Sequence, residues 1–307
     1  MRFTKALAVA AQHAPFLIGG QAVMEGVMMK SKHHLATAVR KQDGSISVRE
    51  RKEESILDKY PFLRIPFVRG AIVLFETLII GLRELNWSAS EAYDEEEKLS
   101  TWELTLTMVL AILFALALFK LLPLFLANLI TTRTSSGNLV LNLLDGGIKL
   151  LIFVGYLLII GQFKDMKRLF AYHGAEHKSV NCYEAGAKLT PRNAKKFTRL
   201  QARCGTTFVI YVIALSIVIY LFIPFGSSFW EKYLLRIALL PVVAGVAYEW
   251  VRFSGKRYKD HAWVRFLSAP GMAFQRITTR EPDLKQLAVA ITALEKVIKR
   301  EEKDAAK

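Results

Sequence analysis

Cysteine is nearly missing from this chain: Cys182 and Cys204 are the two in 307 residues. Two thiols exclude a multi-disulfide framework, and their spacing fits neither C-x-x-C nor a zinc-finger pattern, so both read as reduced. Acidic residues are scarce as well, 27 Asp+Glu against 42 Lys+Arg, for a formal net charge of +15. There is no internal repeat long enough to suggest a transporter built from two halves. A signal peptide is not expected either, because the apolar stretch after Arg2 and Lys5 runs only from Ala6 to Ala11 before Gln12 and His13. A secretory signal needs about seven apolar residues or more.

What the chain does have is hydrophobicity: 52% of its residues are apolar and the mean hydropathy is +0.26. Apolar residues this abundant beside so much charge exclude disorder and argue against an ordinary soluble domain, because the two kinds must be segregated along the chain. A hydrocarbon core of about 30 Å takes roughly 20 apolar helical residues to cross. Four segments qualify: Leu104 to Ile130, Leu139 to Gly161, Thr206 to Pro224 and Tyr233 to Val251. A fifth, Pro66 to Leu85, carries Arg69, Glu76 and Arg83 every seven residues, which lines a narrow stripe of one helix. The apolar interval between those arginines covers only roughly 20 Å, so this segment is expected to be an interfacial or re-entrant helix with its charged stripe ion-paired against protein.

The basic residues set the topology. With four spans, 37 of the 42 Lys+Arg fall in 1–101, 164–205 and 252–307, whereas the opposite loops 131–138 and 225–232 hold only Arg133 and Lys232. A fifth span would put the ten basic residues of 164–205 outside, against the positive-inside rule. Both termini are therefore expected in the cytoplasm. The surplus charge then has a topological cause, so DNA is not an expected partner.

The expected fold class is membrane α-helical: four transmembrane helices, the amphipathic helix, a small cytoplasmic β-containing amino-terminal module and a carboxy-terminal amphipathic helix. The module occupies 1–64. Leu35, Thr37 and Val39, then Ile46 and Val48, alternate about Asp43-Gly44 and read as a β-hairpin between His34 and Arg51. Ile18 to Met29, punctuated by Gly19-Gly20 and Gly26, reads as strand or loop of the same module. Residues 65–101 hold the amphipathic helix and an acidic linker, Glu91 to Lys98. The transmembrane domain spans 102–255 and includes the cytoplasmic loop 164–205. In the tail, 256–307, Glu281-Pro282-Asp283 opens a helix with proline at the first position. Leu284, Leu287, Ile291, Leu294 and Ile298 then form one apolar face, expected to dock on the module or the membrane surface.

The chemistry-bearing pattern lies in the loop between spans two and three. His173, His177 and Glu184 fall on one helical stripe, two imidazoles and a carboxylate that fit a divalent transition metal such as zinc with one position left for water. Glu176 stands in the H-x-x-E-H arrangement, from which a carboxylate serves as general base toward that water. The alternative is a solvated cytoplasmic helix. Asp145 and Lys149, four apart on a span, are expensive in hydrocarbon unless paired; a structural pair is expected, and a polar path through the bundle is the alternative. For Cys204, beside Arg203, a buried structural thiol and a thiolate ligand or nucleophile are both open.

Several stretches together carry a resemblance: Ile18-Gly-Gly-Gln-Ala-Val-Met-Glu-Gly-Val-Met-Met29, Arg69-Gly70 with Glu76, Tyr172-His-Gly-Ala-Glu-His-Lys178, Arg203-Cys-Gly-Thr206, and Ser268-Ala-Pro-Gly271 through Thr278-Thr-Arg-Glu-Pro282. In this order, over nearly the whole chain, they resemble the YqhQ-like family of bacterial membrane proteins. The resemblance implies a metal-dependent enzyme without an established substrate. It implies His173, Glu176, His177 and Glu184 as site residues, with Gln21 and Glu25 as partners from the amino-terminal module. The family pattern before Arg-Cys-Gly-Thr is similar to Arg-Leu-His-Pro, whereas this chain reads Arg199-Leu200-Gln201-Ala202. Glu184 or Cys204 would then complete the ligand set.

The leading expectation is a cytoplasmic divalent-metal site with hydrolytic chemistry. A membrane scaffold or assembly factor contacting anionic lipid or a ribosome-linked partner is the second; it predicts salt-sensitive co-purification of a partner that survives loss of both histidines. A transporter or channel using Asp145 and Lys149 is the third. Membrane lipid is a partner in all three, and self-association is compatible with each.

Overall fold

A computed structural model describes residues 16–93, 101–134, 137–224 and 228–306. The signal-like stretch Ala6–Ala11 and most of the acidic linker lie outside the described residues. The chain begins with a four-stranded antiparallel sheet in sequential order, β1 (Gly19–Val23), β2 (Gly26–Lys30), β3 (His34–Arg40) and β4 (Ile46–Lys52). The β3–β4 turn is closed by Gly44 at φ 87°, a left-handed conformation that suits glycine. β3 pairs with β4 in the register Thr37 to Arg49 and Arg40 to Ile46.

The sheet is covered on both faces, so β3 is buried from His34 to Val39 and shows none of the half-exposed alternation its sequence predicts. One face, with Val23, Met28, Leu35 and Val39, lies under the later turns of helix α1 (Val68–Tyr93). The other, with Val27, Met29, Ala36 and Ala38, packs against two helices named below.

Helix α1 is continuous over 26 residues. Its charged stripe meets protein, as expected, but from half-buried or exposed positions. Arg69 forms a bidentate pair with Glu249 at 2.6 Å, Glu76 accepts from Ser55 Oγ at 2.8 Å, and Arg83 pairs with Glu53. The buried face is instead Ile80–Gly81–Glu84–Ser88–Ala92, because that side meets the sheet. Glu84, fully buried there, accepts from Thr37 Oγ1 at 2.9 Å.

Next come α2 (Thr101–Leu116), a π-helical turn (Ala117–Leu121) and α3 (Leu122–Thr134), followed by α4 (Asn138–Ile160) and α5 (Lys164–Glu184). Beyond a loop lie α6 (Gly205–Tyr220), α7 (Phe229–Ala238), α8 (Leu240–Arg257), α9 (Ala262–Thr278) and α10 (Leu284–Ala305). Among the described residues, two helices are long and apolar enough to cross a membrane, Thr105–Thr134 and Asn138–Ile160; the pair α7–α8, bent by 43°, would make a third. This is fewer than the four expected spans. α6 has only 16 residues, roughly 24 Å, and Pro241 starts a new helix because it has no N–H to continue the old one.

Two tail features also differ from expectation. Asp283, not Pro282, governs the start of α10: its side chain accepts from Gln286 N at 2.7 Å while Gln286 reaches back to Asp283 N, a reciprocal cap. Proline stands just outside the cap. Leu287, Ile291 and Leu294 then pack on the sheet and on α5, so α10 docks on the module. The amphipathic α9, not foreseen, packs against α6.

Candidate metal centre

Three side chains from two distant stretches meet where α5 passes the start of α6. The ligand atoms of His173, His177 and Cys204 all lie within 4.8 Å of one another. His173 and His177 are one turn apart on α5, and their ring centroids are separated by 4.4 Å. Cys204 is the N-cap of α6, where Thr206 N approaches Sγ at 3.4 Å.

The imidazoles are oriented from behind. His173 Nδ1 donates to the Thr278 carbonyl at 2.9 Å, and His177 Nδ1 to the Arg199 carbonyl at 2.6 Å. A carbonyl can only accept, so each Nδ1 carries a proton, and in the neutral ring each Nε2 presents its lone pair. His173 Nε2 then faces Cys204 Sγ at 3.3 Å. His177 Nε2 makes no hydrogen bond although the residue is 1% exposed. A histidine whose outer nitrogen is tied to a carbonyl while the inner one stays free is arranged as metal ligands are. Two neutral nitrogens and one sulfur form a borderline-soft set that suits zinc, with a fourth position left for water.

Local sequence explains the arrangement. Gly174 allows the backbone after α9 to cross α5, since a Cβ there would lie 2.1 Å from Arg280 O. That crossing supplies the Thr278 carbonyl, and Arg280 N donates to Phe170 O at 2.8 Å to hold it. Arg199 donates to Thr279 O at 2.5 Å, and Gln275 bonds Gln201 N and Thr207 Oγ1, which ties α9 to the loop before Cys204.

Glu176 is 2% exposed, with Oε2 at 3.3 Å from His177 Nε2. Burial pulls the His177 imidazolium down, but the Glu176 carboxylate and Cys204 outweigh it and the net shift is upward. β1 forms the wall behind Glu176: a Cβ on Gly20 would approach Glu176 Cγ to 2.7 Å.

The remaining sequence candidates lie elsewhere. Glu184 is ion-paired with Arg203 and is not a member of the histidine–cysteine group. It shares the stripe with His173, but Arg203 beside Cys204 captures it. Glu25, in the β1–β2 turn at φ 49°, pairs with Arg168 and accepts from Tyr172 Oη at 3.3 Å. Burial and the neighbouring Glu25 push the Tyr172 phenol upward. Gln21 packs its amide against Gly81 of α1. Gln201 is buried with Nε2 unpartnered. Asp145 and Lys149 lie 3.0 Å apart between the apolar helices. The orienting carbonyls of Thr278 and Arg199 were missed, because a backbone acceptor leaves no mark in a residue pattern.

Comparison with known proteins agrees in extent with this arrangement. A family described as "Protein of unknown function (DUF1385)" matches residues 65–300, which include all three clustered side chains. The chain is 35% identical over 303 residues to "Uncharacterized protein YqhQ" of Bacillus subtilis (strain 168), covering 94% of each. No solved structure matches. From the family match and the near full-length identity together, the chain belongs to the DUF1385 family, of which the YqhQ-like proteins are its similar relatives.

Proposed function

We propose that this is a polytopic bacterial inner-membrane protein in which His173, His177 and Cys204 hold a divalent metal, zinc by its donor set, at a hydrolytic site on the cytoplasmic side. The observation that carries the metal reading is the convergence of His173, His177 and Cys204 on one point, with the buried Nε2 of His177 making no hydrogen bond there and its ring held by Nδ1 from the opposite side. A buried polar atom without a partner is costly unless something absent from the protein completes it.

Zinc bound here would supply Lewis acidity and lower the pKa of a water in the fourth position. The chain's own residues divide the other tasks. Thr278 and Arg199 fix the imidazole tautomers through their carbonyls. Glu176, next to the open side of His177, receives the proton from water at Oε2 and returns it to the leaving group. β1 and Gly20 hold that carboxylate in place and exclude bulk water from its back.

The membrane part of the proposal is four crossings with both termini cytoplasmic. It rests on charge asymmetry, since four crossings leave 37 of 42 basic residues on one side. The 16-residue α6 crosses as a short span, accommodated by local thinning of the bilayer, and the bent α7–α8 pair crosses as one.

The test is elemental analysis of purified full-length protein. About one equivalent of zinc or a similar divalent metal per chain is expected in the wild type and none in His173→Ala/His177→Ala. Sub-stoichiometric metal, or a content that the double substitution leaves unchanged, would remove the physical basis of the site.

A further inference from the structure

A second buried polar cluster lies among the apolar helices, with the opposite imbalance. α4 contributes Asn142, Asp145 and Lys149, the π-helical turn Lys120, α6 Tyr220 and α7 Arg236. Lys149 Nζ is 3.0 Å and Arg236 Nη1 2.8 Å from the same oxygen, Asp145 Oδ2. Arg236 Nη2 donates to Asn142 Oδ1 at 2.7 Å, and Lys120 Nζ donates to Tyr220 Oη at 3.1 Å. All three cations approach the Tyr220 ring, at 5.5 Å for Lys120, 5.8 Å for Lys149 and 4.9 Å for Arg236.

Three cations therefore share one carboxylate, leaving a formal surplus of two positive charges. The attraction of a ring face for a cation is smaller than the loss of hydration on burying that cation, so Tyr220 does not balance the set. Arg236 is 4% exposed and its Nε has no hydrogen-bond partner. A buried guanidinium with a free donor beside uncompensated ammonium groups is complementary to an oxyanion.

We propose that this cluster binds a tetrahedral oxyanion of charge near −2, an inorganic phosphate or a phosphate monoester. The charge follows from the surplus, and the oxygen acceptors from the donors on Arg236, Lys120 and Lys149. Lys120 is the half-buried member; it stands on the π-helical turn, a distortion that re-aims side chains and recurs at functional sites. This site is separate from the metal centre and does not depend on it.

The experiment uses full-length protein, delipidated in a non-ionic detergent with a chelator present so that the metal centre cannot respond. Its thermal midpoint is followed in sodium phosphate or dioctanoyl phosphatidic acid, against sodium chloride and dioctanoyl phosphatidylcholine at equal ionic strength. A saturable rise with phosphate or phosphatidic acid is expected. Saturation by phosphatidic acid at a concentration at least tenfold lower than by phosphate assigns the site to a lipid; the reverse order assigns it to a soluble anion. Lys120→Met should weaken the response at least tenfold, and Lys120→Arg, which keeps the charge, should retain it. Equal midpoints in all four media, or an undiminished response in Lys120→Met, would overturn the proposal. If Lys120→Met does not fold, the wild-type comparison of phosphate with chloride decides alone.

Discussion

The two buried polar clusters differ in what they lack. At the His173–His177–Cys204 centre the ring N–H groups are already given to the Thr278 and Arg199 carbonyls, and the Nε2 atoms converge on Cys204 and Glu176 with a single thiol proton between them. In the Lys120–Asp145–Lys149–Arg236 cluster three cationic groups converge on one carboxylate and the neutral acceptors Asn142 and Tyr220. Counting donors and acceptors, instead of noting polarity alone, is what leads to the two opposite proposals: a cation at the first, an anion at the second. It also separates two elements that look equally costly by burial.

The comparison can be broken most severely at the charged cluster. Arg236→Met leaves Asp145 with Lys149 alone and strands Asn142 Oδ1, and removing one member of a buried pair costs about 3–5 kcal/mol. A large fall in thermal midpoint is expected, with metal content unchanged; a neutral effect would mean that the arginine is not buried against Asp145. The wall of the metal centre is the next place to press. Gly20→Val would set Cβ 2.6 Å from Met28 O and 2.7 Å from Glu176 Cγ, and overpacking of this kind costs about 1–3 kcal/mol. Glu176 should be displaced while one equivalent of metal is retained, because none of the three ligands touches Gly20. Loss of metal in this variant would show that Glu176 supports the ligands themselves.

The smallest effect is expected far from both clusters. Arg300 Nε donates to Glu50 Oε2 at 2.7 Å, tying α10 to β4, and this hydrogen bond holds the Glu50 carboxyl below its ordinary value. A carboxyl depressed in the folded state stabilises above its unfolded pKa, and that stability is lost as pH falls through the folded one. Glu50→Gln should therefore cost about 0–1 kcal/mol at neutral pH. The difference from wild type should vanish in acid when denaturation is followed against pH; a difference that grows in acid would reverse the sign of the coupling.

Local pattern made part of the molecule legible. The alternation about Asp43-Gly44 marked the β3–β4 hairpin, and the apolar periodicity of Leu287, Ile291 and Leu294 marked the inner face of α10. The charge on α1 was a partial guide, because its seven-residue stripe meets protein without marking the side that is buried; Glu84 entered the interior through Thr37, a partner 47 residues away. At the metal centre, His173 and His177 were visible through their spacing. Cys204 and Glu184 were both plausible third ligands, and only the approach of α6 to α5 separates them, with Arg203 holding Glu184 away from the histidines. Lys120 and Arg236 escaped notice as partners of Asp145 for the same reason: each sits alone in an apolar run, and tertiary packing brings them together. The sheet's cover on both faces was likewise beyond a strand-by-strand reading.

Cobalt(II) substitution tests the central claim most directly, because a sulfur ligand adds a sulfur-to-cobalt charge-transfer absorption that nitrogen and oxygen ligands do not produce. One equivalent of cobalt should give this band together with the visible spectrum of a four-coordinate site, and Cys204→Ser should abolish the charge-transfer band. Its absence in the wild type, or its persistence in Cys204→Ser, would contradict a centre built from His173, His177 and Cys204.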